Sequence, residues 1–181
     1  MKKYEIQGII GIGSYGVVLK AVNRSSREIV AIKKFKLPDV NPCIKKIALR
    51  EVKSLKSVQH PNIVRFIEAF SRENKLHIVF EFVDKTVLED IESSSSGLPL
   101  STIRSYIFQL LQALNALHSK KIIHRDIKPE NLLVSSSGKL KLCDFGFARK
   151  LDEHRWVISQ SNRLRINEVV PIPRGSFGSW V

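Results

Sequence analysis

The sequence predicts an α+β fold in two lobes, a five-stranded antiparallel sheet with one helix followed by a mainly helical part. Three observations predict it. Short runs rich in β-branched residues, cut by turn signals, occupy most of the stretch from Tyr4 to Phe82. A single helical periodicity interrupts them at about Ile44 to Ser57. A second, longer one begins at Ser101, beyond a Ser-rich loop at Ser93 to Gly97. With 181 residues, 43% apolar and 26% charged, and only 9 Gly and 7 Pro, the chain fits one ordinary domain or part of a larger one and can bury a core.

Between Tyr4 and Phe35 the breaks at Gly11 to Gly16 and at Asn23-Arg24-Ser25-Ser26 divide the chain into three antiparallel strands. The helix that follows has Ile44, Ile47, Ala48, Val52 and Leu55 on one face and is closed by the turn His60-Pro61-Asn62. Strands at Val64 to Phe70 and Leu76 to Phe82 complete the first lobe, which ends near Val83-Asp84. Ser101 is placed to cap the long helix, where Ile103, Ile107, Leu110, Leu111, Leu114 and Leu117 recur at helical spacing. After Ile122-Ile123-His124 comes a polar stretch, then a hairpin of Leu132 to Val134 and Lys139 to Leu142 joined at Ser135-Ser136-Ser137-Gly138. Past Gly146 the pattern fades: Asn162 to Val170 makes at most one weak element, and Pro171, Pro173, Gly175 and Gly178 punctuate the rest. The expected divisions are 1–83, 84–149 and a poorly ordered tail at 150–181.

Thirty Lys and Arg against 17 Asp and Glu give a net charge of +13, which attracts anionic ligands without choosing among them. From Phe147 onward there are six basic and three acidic residues, so the first 146 residues carry 24 − 14, or +10. No basic run is interleaved with aromatic residues, and a solvated basic face is the better reading than nucleic-acid binding. No apolar run approaches the roughly 20 residues of a membrane span, and the start at Met1-Lys2-Lys3 lacks a secretory signal. The expected location is cytoplasmic, nuclear or both. Cys43 and Cys143 form neither a disulfide framework nor a zinc pattern.

The residues Gly11, Gly13 and Gly16 stand in a G-x-G-x-x-G-x-V run with Val18, between two strands, where glycine lets the backbone bend closely over phosphates. A strand rather than a helix follows, which disfavours a dinucleotide fold. In Val30-Ala31-Ile32-Lys33, strand alternation places Ala31, Lys33 and Phe35 on one face and Val30 and Ile32 on the other. Glu51 falls on the apolar face of the next helix, one turn from Ile47 and one from Leu55, and needs a cation; Lys33 is the candidate. More specific is His124-Arg125-Asp126-Ile127-Lys128-Pro129-Glu130-Asn131, with Asp144-Phe145-Gly146 beginning 13 residues after Asn131. Phosphoryl transfer needs hard oxygen donors for magnesium, a cation on the moving phosphate and a carboxylate for the hydroxyl proton. Asp144 and Asn131 suit the metal, Asp126 the proton and Lys128 the phosphate. A lone Asp is usually an ordinary solvated turn residue, but the set taken jointly is not.

Over residues 1 to about 150 the chain resembles a eukaryotic protein kinase, with the glycine loop, strand lysine, helix glutamate, catalytic loop and magnesium motif in that family's order. Lys45-Lys46-Ile47-Ala48-Leu49-Arg50-Glu51 and Leu142-Cys143-Asp144-Phe145-Gly146-Phe147-Ala148-Arg149 are similar to the cyclin-dependent-kinase-like group. The resemblance implies the bilobal kinase fold, with a complete N-lobe and the first part of the C-lobe, and a serine/threonine kinase using ATP and Mg2+. It implies that Val18, Ala31 and Leu133 sandwich adenine, that Phe80 guards the back of the pocket, and that backbone groups of Glu81 and Val83 bond the adenine edge. Lys33, Glu51, Asp126 and Lys128 become catalytic, and Asn131 and Asp144 metal ligands. Ser14 and Tyr15 match positions of inhibitory phosphorylation.

The resemblance stops after the Asp-Phe-Gly motif. The 35 residues beyond Gly146 contain no Thr or Tyr, and Glu168-Val169-Val170-Pro171 does not match the family's Ala-Pro-Glu anchor. A truncated kinase is therefore expected, with its substrate groove missing and Ile107, Leu110, Leu111, Leu114 and Leu117 left uncovered. Weak nucleotide binding and little or no phosphorylation of protein hydroxyls follow. Two other readings stand beside the enzyme: a non-catalytic isoform that binds nucleotide or a cyclin-like or scaffold partner, and a PDZ ligand through Ser179-Trp180-Val181. The last rests on two common residue classes and carries little weight.

Overall fold

A computed structural model describes residues 3–13, 16–36 and 42–151, the side chains of 42–45 and 47 excepted. The chain divides into two units, Met1–Lys150 and Leu151–Val181, and of the second only Leu151 is among the described residues. Ser14, Tyr15, the Cys43 side chain, the element expected at Asn162 to Val170 and the Ser179-Trp180-Val181 terminus lie outside them.

The first 81 residues build one sheet from β1 (Tyr4–Ile12), β2 (Gly16–Asn23), β3 (Ile29–Phe35), β4 (Phe66–Arg72) and β5 (Lys75–Glu81), in the order β1-β2-β3-β5-β4, each pair antiparallel. β4 and β5 begin and end within a residue or two of the expected bounds. Their turn is the two-residue Glu73-Asn74, both at positive φ, the form whose twist matches the flanking strands. Helix α1 (Pro42–Ser57) lies between β3 and β4 in sequence. Strand alternation divides the sheet as expected: Val30 and Ile32 bury with Tyr4, Ala21 and Val79 on one face. On the other, Phe35, Ile78 and Phe80 join Ala48 and Leu55 of α1 in the main core.

That core continues into the second part of the chain. There β6 (Lys85–Thr86), α2 (Val87–Glu92), α3 (Leu100–His118), β7 (Ile122–Ile123), β8 (Leu132–Val134), β9 (Leu140–Leu142) and β10 (Arg149–Lys150) follow in order. β8 and β9 form the expected hairpin, β6 adds to its edge, and β10 pairs with β7. α2 is started by a capping box, the Thr86 hydroxyl accepting from the Glu89 backbone N–H while the Glu89 carboxylate accepts from the Thr86 N–H.

Two expectations about α3 are corrected. Its N-cap is Pro99, whose extended backbone sets the entry angle, and Ser101 lies inside the first turn, so no side chain caps the end. The apolar residues also occupy two faces rather than one. Ala113 and Leu117 are buried, and Tyr106, Leu110 and Leu114 pack against the core, so Leu110, Leu114 and Leu117 are covered from within. Leu100, Ile103, Ile107, Phe108 and Leu111 form the exposed set.

The two parts are joined by backbone as well as side chains. Leu142 donates to the Asn62 carbonyl at 2.9 Å and Val64 donates to the Leu142 carbonyl at 3.0 Å, a parallel bridge through Ile63. Asn62, itself buried, donates its amide to the Leu140 carbonyl at 2.8 Å and to Gln109 Oε1 at 2.9 Å. This joint fixes the sheet over the β8–β9 hairpin.

Candidate functional site

Strand register sets the upper wall. Val18 stands opposite Lys33, Ala31 opposite Phe80, and Lys33 opposite Ile78, so these side chains share the face that packs toward the hairpin. Gly11 is opposite Val18, and the Gly13 N–H donates to the Gly16 carbonyl at 2.9 Å, closing the turn between β1 and β2. The three glycines differ in what they exclude. A Cβ at Gly16 would overlap the Lys34 carbonyl oxygen, whereas among the described residues one at Gly11 would touch only Val18 at 3.7 Å, and one at Gly13 only the Gly16 carbonyl oxygen at 3.9 Å. Leu133, half-buried on β8, belongs to the hairpin below, and Phe80 is buried beside Glu81 and Val83, where β5 leads into the connection.

Lys33 joins three elements. Its Nζ lies 3.1 and 3.0 Å from the two Glu51 carboxylate oxygens and 2.9 Å from Asp144 Oδ1. Burial opposes the ammonium charge, but Glu51 and Asp144 together outweigh it and hold Lys33 well above the ordinary lysine range. Glu51 is 1% exposed, and there burial wins over the single cation and pushes the carboxyl up. At Asp144 burial again favours the neutral form, yet the Lys33 charge and hydrogen bond keep its value below the usual carboxylate range. The sequence pairing of Lys33 with Glu51 thus holds, and Asp144 is drawn into the same cluster.

Below it the residues of the loop 124–131 hold one another. Asn131 Nδ2 donates to both the Asp126 carbonyl and Asp126 Oδ2 at 2.8 Å, and Lys128 Nζ lies 3.2 Å from the same carboxylate oxygen. Both amide hydrogens of Asn131 are spent on Asp126, so the amide orientation is fixed and Oδ1 is left as an acceptor. The Cys143 N–H donates to the Asn131 carbonyl at 3.0 Å, which links this loop to Asp144. Arg125 and Asp144 both have positive φ, at 71° and 56°, a conformation that non-glycine residues adopt at some energetic cost. Asp144 uses it to accept from the Gly146 N–H at 3.3 Å and start the turn Phe145–Phe147.

His124, not singled out in the sequence for any role, organises the loop. It is buried against the edge of Phe145, lies 2.8 Å from the Cys143 carbonyl through Nε2, and accepts the Asp126 N–H at Nδ1, 3.3 Å away. Accepting at Nδ1 and donating from Nε2 define one neutral tautomer. Burial lowers its pKa accordingly. Cys143 is half-buried beside Asp144, and desolvation raises its thiol to about 12, which leaves it largely protonated and unreactive.

Asp144 and Asn131 Oδ1 fit a magnesium ion in type, being hard oxygens from adjacent segments. Among the described residues no group of three or more His, Cys, Asp and Glu could hold a metal alone. Such a pair is typical of magnesium bound together with substrate phosphates.

A lysine shared by a helix glutamate and a turn aspartate, opposite a loop in which an asparagine and a lysine hold a second aspartate, is the constellation of a phosphotransferase. The protein kinase domain family matches residues 4–170, and the chain belongs to that family. Within it the chain is similar to the cyclin-dependent kinase-like group: it is 52% identical to mouse cyclin-dependent kinase-like 5 over 153 residues, 84% of this chain and 16% of that protein. It is 50% identical over 151 residues to human cyclin-dependent kinase-like 2 and to mouse cyclin-dependent kinase-like 4, or 83% of this chain and 31% and 44% of theirs. The chain thus spans less than half the length of these relatives.

Proposed function

We propose that this chain binds Mg-ATP between the sheet and the β8–β9 hairpin, and that its residues are those of a serine/threonine kinase acting inside the cell. The observation that carries the reading is the Lys33 ammonium held by Glu51 and Asp144 at once, with bonds of 2.9–3.1 Å. A cation so fixed is poised for phosphate oxygens without further rearrangement of its own wall. Bound magnesium would neutralise charge on those oxygens, with Asp144 and Asn131 as its ligands from this chain. Val18, Ala31 and Leu133 bracket the base, Phe80 closes the back, and Glu81 and Val83 offer backbone groups to its edge. Gly11, Gly13 and Gly16, having no Cβ, let the backbone at the β1–β2 turn come close to the phosphates.

In the transfer step Asp126 accepts the proton of the attacking hydroxyl as its oxygen bonds the γ-phosphorus. The bond to the bridging oxygen breaks and ADP departs, while Lys128 and Lys33 stabilise charge on the oxygens. Thermal-shift titration with Mg-ATP tests the site. The wild type gains stability with ligand concentration, and Lys33→Met and Asp144→Asn, each referred to its own ligand-free midpoint, gain little. A wild type that shows no shift overturns the reading.

A second reading, nucleotide or partner binding without transfer, is favoured by the exposed row Leu100, Ile103, Ile107, Phe108 and Leu111 on α3, a surface suited to a protein partner. A cyclin-like or scaffold protein would be of that kind. An Mg-ATP shift combined with no Asp126-dependent phosphate incorporation into Ser/Thr peptides would select this reading. Among the described residues no helix is long and apolar enough to cross a membrane.

A further inference from the structure

The Glu81 side chain takes no part in the chemistry above, yet three segments meet on it. Its Oε1 accepts the Arg65 backbone N–H at 2.7 Å and the Lys141 ammonium at 2.8 Å, while the Glu81 N–H donates to the Arg65 carbonyl at 3.0 Å. Lys141 and Glu81 are only 15% and 18% exposed at their side chains, so the pair is largely withdrawn from water. Lys141 sits on β9 directly opposite Leu133 on β8, and opposed residues of an antiparallel pair project to the same side. The lysine therefore ties the hairpin that carries the expected floor of the base slot to the residue whose backbone is expected to form its edge. On the other side of the same connection, Lys20 of β2 lies over the Phe82 ring, 4.5 Å from its centroid.

We infer that Lys141 is a positioning residue for the nucleotide base: through Glu81 it sets the spacing between Leu133 and the backbone of residues 81–83, and so the affinity for adenine but not for phosphates. The inference rests on the nucleotide-site reading and deepens it. A general packing role for Lys141 would weaken every ligand alike, because both halves of the cleft would loosen together. A spacing role is selective, since the phosphate side is held independently by Lys33, Glu51 and Asp144.

The test measures dissociation constants of the 181-residue chain for adenosine, Mg-ATP and magnesium tripolyphosphate, in wild type, Lys141→Met, Lys141→Arg and Glu81→Gln. Methionine keeps the stem and core packing, glutamine keeps an acceptor for the Arg65 N–H, and urea unfolding checks that each variant is folded before ligand is added. Adenosine and Mg-ATP are expected to bind Lys141→Met and Glu81→Gln at least about fivefold more weakly, with tripolyphosphate unchanged and Lys141→Arg near wild type. Equal weakening of all three ligands, or no change for adenosine while wild type binds it, overturns the inference and leaves the nucleotide site standing. Absence of Mg-ATP binding in wild type removes both.

Discussion

Lys33 with Glu51 and Lys128 with Asp126 are lysine–carboxylate pairs of nearly equal length, 3.0 and 3.2 Å, on different walls of the same site. Their surroundings are not equal. The first pair has side-chain exposures of 14% and 1%, the second of 45% and 25%. Distance therefore says little about what each pair does for the fold. Where water is excluded, each partner depends on the other to remain charged; where it is present, the charges are already solvated. The buried pair is part of the architecture, whereas the open pair is free to exchange partners with solvent.

Breaking the buried pair has the largest expected effect. Lys33→Met leaves Glu51 without its cation and lowers stability by roughly 3 kcal/mol at neutral pH, measured by urea unfolding. The loss has a pH signature. Burial already raises the Glu51 carboxyl, and without Lys33 its folded value rises further above the unfolded one. The stability it permits is thus present below the unfolded value of about 4.3 and lost as pH rises through the folded one, so the deficit shrinks toward acid. A deficit independent of pH would show that Glu51 is not the cause.

Asp126→Asn comes next and acts on rate alone. Peptide phosphorylation, if measurable in wild type, should fall by about a hundredfold or more, while the unfolding midpoint and the Mg-ATP shift hold. A smaller effect comes from His124. Its folded value lies below its unfolded one, so the unfolded chain takes up the proton first, and stability declines as pH falls below about 6.5. His77 and His60 are also lowered, chiefly by burial, and contribute in the same direction, so His124→Asn removes only its own part of the slope. Smallest of all is Lys128→Ala, which should leave the unfolding midpoint unchanged. Its raised value comes from the Asp126 hydrogen bond at an open site, and transfer rather than folding should register its loss.

Much of this contrast was legible in the sequence. A carboxylate on the apolar face of a helix announces a buried partner, and the alternation Ala31-Ile32-Lys33 names which strand lysine faces it. The strands were readable because short runs of β-branched and apolar residues are cut by turn signals, as at Gly11 to Gly16 and Asn23 to Ser26. α2 was missed although Thr86-x-x-Glu89 is a capping signal, since six residues are too few to show a periodicity. The two faces of α3 were merged because apolar residues at helical spacing show only that a face is apolar, not what covers it. The bonds from His124 to the Cys143 carbonyl, and from Lys141 to Glu81, join residues 19 and 60 positions apart. No local pattern encodes such partners; they exist only once the hairpin has closed beneath the sheet.

The glycines of the β1–β2 turn carry a final consequence. Only Gly16 is demanded by the protein's own backbone, since a methyl group there would overlap the Lys34 carbonyl of the neighbouring strand. At Gly11 and Gly13 an alanine meets no overlap among the described residues. One short stretch therefore answers to two demands: folding retains Gly16, whereas on the nucleotide-site reading proposed above Gly11 and Gly13 stay small for the phosphates, and alanine at either would cost affinity rather than stability.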